Sequence, residues 1–149
     1  MDELDPGLRT VARVSPREFT CAAQILGQPR LDDRSGANRT GRRRIMWSQT
    51  DNQIAWRWYL GEADPEVTVP ARNLNLRGLA PAWIGVGTLD LFLAECNTYA
   101  ERLQAAEVPV CLKVAEGAFH GFDQFAPSSS VALDFFASQC DYLRSIVAG

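Results

Sequence analysis

Ala82-Trp83-Ile84-Gly85-Val86 is a run of β-forming and small residues with little polar alternation, the composition of a strand buried on both faces. Downstream, Phe92, Cys96, Tyr99, Leu103 and Ala106 recur at three- and four-residue intervals, with Glu95, Glu101, Arg102 and Glu107 between them. That spacing predicts an amphipathic helix of about four turns. Val108-Pro109 ends it, and Val110-Cys111-Leu112-Lys113-Val114 supplies a second strand. Strand, helix and strand with short joints form a βαβ unit, hence two parallel strands joined by a right-handed crossover.

Working outward, the tail repeats the helical pattern through Ala132, Phe136, Cys140, Leu143 and Val147, behind a Ser128-Ser129-Ser130 capping region. Upstream, Ala22 to Gly27 is a short apolar run closed by Pro29, which fits another buried strand. From Arg30 to Gly41 the residues are those of a loop. Asp51 to Gly61 carries a helix signature, with Asp51 as cap, Ile54 and Trp58 as the apolar stripe, and Gly61 as terminator. A long Pro-punctuated connection then leads to Pro81. The fold class is α/β with a small, mainly parallel sheet and flanking helices, and residues 1–21 form a divergent segment ahead of it.

The 149 residues suit one domain, and 46% apolar with 22% charged composition excludes disorder. A net charge of −3 gives no global reason to expect nucleic acid. No apolar run approaches the ~20 residues that span a bilayer, and the acidic start lacks a secretory pattern, so a cytoplasmic protein is expected. The four cysteines, Cys21, Cys96, Cys111 and Cys140, lie far apart and form no Cys/His cluster. They are expected to be buried free thiols rather than metal ligands or a disulfide framework, and no cofactor is expected. Arg30, Arg34, Arg39, Arg42, Arg43 and Arg44 crowd one loop, opposed by Asp32 and Asp33. Without aromatic interleaving, this is read as a solvated loop whose carboxylates pair with its arginines.

In open parallel sheets, functional groups gather just past the carboxyl ends of the strands. Gly87-Thr88-Leu89-Asp90 occupies that place after one strand of the unit, and Gly117-Ala118-Phe119-His120-Gly121-Phe122 after the other. Neighbouring strands lie only ~4.8 Å apart, so a carboxylate at 90 could reach an imidazole at 120. Such a carboxylate fixes the His tautomer and stabilises the imidazolium formed when the ring takes a proton. The residues leave simpler readings open: Asp90 also stands where it could cap the helix beginning near Leu91, and a lone histidine is often structural. Glycines on both sides of His120 favour a site, because they permit tight turns and close approach of a ligand.

Together, Gly87-Thr88-Leu89-Asp90-Leu91-Phe92 with Glu95, and Gly117-Ala118-Phe119-His120-Gly121-Phe122-Asp123, resemble the acid and histidine motifs of the hormone-sensitive-lipase-type α/β-hydrolases. Pro29 to Arg34, Trp47, Asn52, Trp56 to Gly61, Pro70-Ala71-Arg72 and Leu76 to Pro81 match in order. The resemblance implies that residues 22–149 are the C-terminal portion of that fold, with its last three strands. It also implies hydrolysis of small carboxylic esters, as esterase or lipase, with Asp90 as orienting acid and His120 as general base.

The chain departs from the family in two motifs. It has neither the His-Gly-Gly oxyanion-hole motif nor the Gly-x-Ser-x-Gly elbow that presents the nucleophile on a strained turn. Without an activated hydroxyl there is no acyl-enzyme, and each missing oxyanion donor costs about 10²–10³ in rate. A truncated protein, weakly active or inactive, is therefore expected; a live hydrolase using Ser15 or a cysteine is the less favoured version. The alternative is a non-catalytic interaction module that uses an exposed sheet edge. A bare apolar edge at residues 22–27 predicts weak stability or self-association.

Overall fold

The computed structural model describes residues 21–35 and 46–148. The N-terminal segment expected over 1–21 lies outside them apart from Cys21, as do Ser15 and Arg39, Arg42, Arg43 and Arg44 of the basic loop. Three strands, β1 (Gln24–Gly27), β2 (Ala82–Gly87) and β3 (Val110–Ala115), make one sheet in the order β1-β2-β3. Both pairings are parallel, with Gln24 opposite Ala82 and Ala82 opposite Val110. The helices are α1 (Gln49–Leu60), α2 (Pro65–Thr68), α3 (Leu93–Ala105), α4 (Phe122–Phe125) and α5 (Ser130–Val147).

Every residue of β2 is buried, and its alternation feeds two cores. Ala82, Ile84 and Val86 point to one face, where Phe92, Cys96, Tyr99, Ala100 and Leu103 of the α3 region cover them. Trp83 points to the other, against Ala115, Ala118, Phe122, Ala132 and Phe135. The rings of Trp83 and Phe135 meet edge to face at 5.0 Å, and the indole N–H of Trp83 donates to Ser138 Oγ at 3.0 Å. Gly85 lies beneath this pair; a Cβ there would stand 2.2 Å from the Trp83 ring. Two-sided burial is why the strand reads as an apolar run rather than an alternation.

Two helical faces differ from the sequence reading. In α1, Ser48 is the N-cap and Asp51 completes a capping box from inside the first turn, so the helix begins earlier than expected. Its buried residues are Asn52 and Trp56, whereas Ile54 is exposed and Trp58 is 81% exposed. Asn52 Nδ2 donates to the Ser35 carbonyl at 3.2 Å, a tertiary hydrogen bond that ties this face of the helix to the loop after β1. In α5, capped by Ser129 as expected, Ala132 and Phe135 are buried while Phe136 is 64% exposed. Adjacent helical residues diverge by ~100°, so only one of Phe135 and Phe136 can enter the core. Position 135 wins because Trp83 and Phe122 both offer it a ring edge.

The thiols also need correction. Only Cys96 is buried; Cys21 and Cys111 are exposed and Cys140 is partly so, all four free. Cys111 lies on β3, an edge strand of the sheet in which only Ala115 is buried, whereas every residue of β2 is.

Glu95 ties α3 to the loop after β1. Its carboxylate, buried in the first turn of α3, accepts from the Leu31 N–H at 2.6 Å and the Asp32 N–H at 3.4 Å. Burial pushes its carboxyl up to about 7, against the hydrogen bonds from Ser35, Leu31 and Asp32, which pull it down. Between the ordinary value of 4.5 and about 7 the folded chain therefore holds a proton that the unfolded chain has lost. Stability must fall as pH rises through that window. Glu95→Gln, which keeps an acceptor oxygen and removes the charge, is expected to raise stability by about 3 kcal/mol at pH 8 and to change little at pH 5. Melting curves at the two pH values check this; a variant less stable than wild type at pH 8 would contradict it.

Candidate active site

Asp90 and His120 leave the sheet together because β2 and β3 end in register, Gly87 opposite Ala115. The two loops are then stitched to each other. The Thr88 N–H donates to the Ala115 carbonyl (3.0 Å), the Leu89 N–H to the Ala118 carbonyl (2.9 Å), and the Gly117 N–H to Thr88 Oγ1 (2.8 Å). Gly87 makes that approach possible: a Cβ at this position would lie 2.1 Å from the Ala118 carbonyl oxygen. Gly117 and Gly121, at φ 70° and 78°, turn the chain on either side of His120 in the left-handed region open to glycine.

The outcome is a contact of 2.9 Å between His120 Nδ1 and Asp90 Oδ2. The Asp90 side chain is completely buried, and that of His120 is 24% exposed. The second carboxylate oxygen, Oδ1, accepts from the Phe92 N–H at 3.0 Å, just ahead of α3. Asp90 is not the N-cap of α3, which is Phe92; one of its oxygens holds the Phe92 N–H and the other faces the imidazole. A carboxylate that accepts here would place the imidazole hydrogen on Nδ1 and leave Nε2 as the basic nitrogen.

Two aromatic rings fix the plane of the imidazole. Phe92 meets it edge to face at 5.2 Å, and Trp47 packs at 5.6 Å, tilted by 48°. Over the Trp47 ring lies the Arg30 guanidinium, 5.0 Å from its centroid, a cation–π contact. Burial lowers the Arg30 pKa from its ordinary value, and the charge of Glu95 opposes that shift. The remaining described charges of this loop are paired: Arg34 with Asp32 at 2.7 Å, and Arg72 with Asp33 at 2.8 Å. No group of three His, Cys, Asp or Glu placed to hold a metal occurs among the described residues. Burial also pushes the Cys96 thiol up, which is the reverse of what a thiolate nucleophile requires.

Comparison with known proteins places this arrangement. The chain matches the family model described as the alpha/beta hydrolase fold over residues 8–124, most of its length. The chain belongs to the α/β-hydrolase fold family. Esterase LipI of Mycobacterium tuberculosis is 39% identical to it over 74 residues, which are 47% of this chain and 23% of that protein. Esterase LipW from Mycobacterium marinum superposes with a TM-score of 0.80 at 34% identity, covering 85% of this chain and 41% of that one. A bacterial heroin esterase gives 0.70 at 30% identity, covering 84% and 41%. An esterase of the bacterial hormone-sensitive lipase family shares the fold, with a TM-score of 0.77 at 23% identity, over 88% of this chain and 46% of that one. These matches agree with the hormone-sensitive-lipase-type motifs read in the sequence. The chain spans about two fifths of the length of the solved esterases it matches. Among the described residues no helix is long and apolar enough to cross a membrane.

The structure thus brings together both residues singled out from the sequence. Sequence reading missed the groups that hold them. Trp47 was matched only as a family position, and Phe92 was read as helix core, with no role toward His120. Gln28, which reaches the turn after His120, had no local signal, because its partners lie more than ninety residues away.

Proposed function

We propose that this chain supplies the acid–base part of a carboxylic-ester hydrolase site, with Asp90 as orienting acid and His120 as general base. The observation that carries the reading is the 2.9 Å contact between a fully buried carboxylate and a partly exposed imidazole at the carboxyl ends of adjacent parallel strands. In ester hydrolysis, Nε2 would take the proton of an attacking hydroxyl and return it to the leaving alcohol, while Asp90 stabilises the imidazolium. The substrate is a small-molecule ester, in keeping with the esterases that the chain resembles.

The sequence contains no Gly-x-Ser-x-Gly elbow, so the chain alone should turn esters over weakly or not at all. Purified chain assayed on p-nitrophenyl acetate and butyrate is expected to give rates close to buffer. Turnover well above buffer that vanishes in His120→Ala would overturn this and make the chain a complete hydrolase.

A second reading, as an interaction module, is favoured by one feature: the outer edge of β1 has no strand partner among the described residues. Unpaired backbone groups along an edge invite another strand, from a second copy or another chain. Sedimentation distinguishes the readings, since a monodisperse monomer with cooperative unfolding has no need of that edge.

A further inference from the structure

The turn that carries His120 is held from β1 by one side chain. Gln28 follows β1 directly, and its own N–H donates to the Gly85 carbonyl at 2.7 Å, extending the β1–β2 pairing by one step. Its backbone stands at φ 49°, in the left-handed region that residues other than glycine rarely occupy. From there the side chain crosses to the loop after β3. Oε1 accepts from the Gly121 N–H at 2.5 Å, and Nε2 donates to Asp123 Oδ1 at 2.8 Å. The two contacts span ninety-three and ninety-five residues of sequence, so they are tertiary and not features of a local turn.

We infer that Gln28 is a positioning residue for His120, acting through the Gly121 peptide and the Asp123 carboxylate. The inference rests on the reading of His120 as general base and adds to it the group that aims the base. The Gly121 N–H belongs to the peptide that leaves His120, so fixing it fixes the backbone torsion from which the imidazole projects toward Asp90. Gly121 is itself left-handed at φ 78° and has no side chain to hold it in place. An external clamp is what that turn lacks. The chemistry selects glutamine: one planar group must accept on one side and donate on the other, at the same reach. Glutamate could accept from Gly121 but would set a second carboxylate against Asp123. Two residues on, Arg30 lies over Trp47 and Trp47 packs on the imidazole, so the same loop steadies both the backbone and the ring of His120. Strained backbone held by its surroundings is commonly found beside functional groups, and here the strain has an identifiable return.

The test uses the whole chain, in which His120 is the only histidine, so imidazole resonances need no assignment. Four proteins are compared at pH 7 by ¹⁵N NMR of the ring: wild type, Gln28→Glu, Asp123→Asn and the double variant Gln28→Glu/Asp123→Asn. Asp90→Asn serves as a reference. Gln28→Glu is expected to reduce the population with hydrogen on Nδ1 at least about twofold, while the melting temperature moves little. The double variant is expected to recover the wild-type spectrum, because the new carboxylate at 28 accepts from both Gly121 and the new amide at 123. Gln28→Ala provides a variant without new charge, and it should speed hydrogen exchange of the Gly121 amide about tenfold while leaving β2 amides unchanged. If Asp90→Asn alters the ring but Gln28→Glu and Gln28→Ala do not, the positioning role is wrong and the acid–base reading stands. A double variant as impaired as Gln28→Glu alone also overturns the role. If Asp90→Asn leaves the ring unaltered, the pair itself fails and the inference falls with it.

Discussion

Asp90→Asn is expected to lower ester turnover by about 10⁴, and His120→Ala by about 10⁶, once the chain is joined behind the elbow-bearing portion of a hormone-sensitive-lipase-type esterase. The two figures differ because the residues do different work. Without His120 nothing near the nucleophile can take its proton. Without a carboxylate at 90 the imidazole remains but holds its hydrogen on the wrong nitrogen, and the imidazolium formed in the reaction loses its counter-charge. Combining both changes should cost no more than His120→Ala alone, since an orienting acid has nothing left to orient. The chimera's kcat on p-nitrophenyl butyrate checks this. A loss below tenfold for Asp90→Asn would mean that the carboxylate serves the local fold, as in its bond from the Phe92 N–H, rather than the imidazole.

Gly87→Ala is expected to cost about 3 kcal/mol or more, at the upper end of what overpacking produces. A methyl there would overlap the Ala118 carbonyl oxygen at 2.1 Å and the Ala118 carbonyl carbon at 2.7 Å, and backbone cannot rotate away as a side chain can. For a domain of this size such a loss lowers the melting temperature by roughly 10 °C. The damage should also be directed. Separating residue 87 from Ala118 breaks the stitching between the two loops, so Asp90 and His120 should part. Gly85→Ala offers the comparison, since its clash in the same core is with the side chains of Trp83 and Phe135 rather than with the backbone of the His120 loop. It should destabilise while leaving the imidazole environment near that of wild type. Equal effects of both substitutions on the His120 resonances would contradict this division.

The parts of the fold that were legible in the sequence share a cause. β2 and β3 read as strands because each concentrates β-forming residues in a short run, unbroken in β2 where both faces are buried, and α3 reads as a helix because its inward face is apolar except at Glu95. With parallel strands established, their carboxyl ends are where functional groups are looked for, and that placement puts Asp90 beside His120. The faces of α1 and α5 were misread for the converse reason. In α1 the inward positions are an amide and a tryptophan, and in α5 two adjacent phenylalanines offered two stripes, which only a partner outside the helix could decide. Asp51 has the chemistry of a cap as much as Ser48 does, and the capping box that joins them is set by where the helix starts. Gln28, Trp47 and Gly87 take their roles from atoms distant in sequence. Their composition carries no trace of a donor at 121, a ring at 120 or a carbonyl at 118.

The same distinction separates the family from the reaction. The fold and its family follow from the match over most of the chain, whereas the acid–base role of two side chains depends on where one hydrogen sits. That hydrogen can be observed directly. In ¹⁵N spectra of the single histidine at neutral pH, the wild-type chain is expected to show His120 with hydrogen on Nδ1 and an unprotonated Nε2, and Asp90→Asn is expected to abolish that preference. A wild-type ring with its hydrogen on Nε2, unchanged by Asp90→Asn, would contradict the assignment of Asp90 and His120 as a working pair.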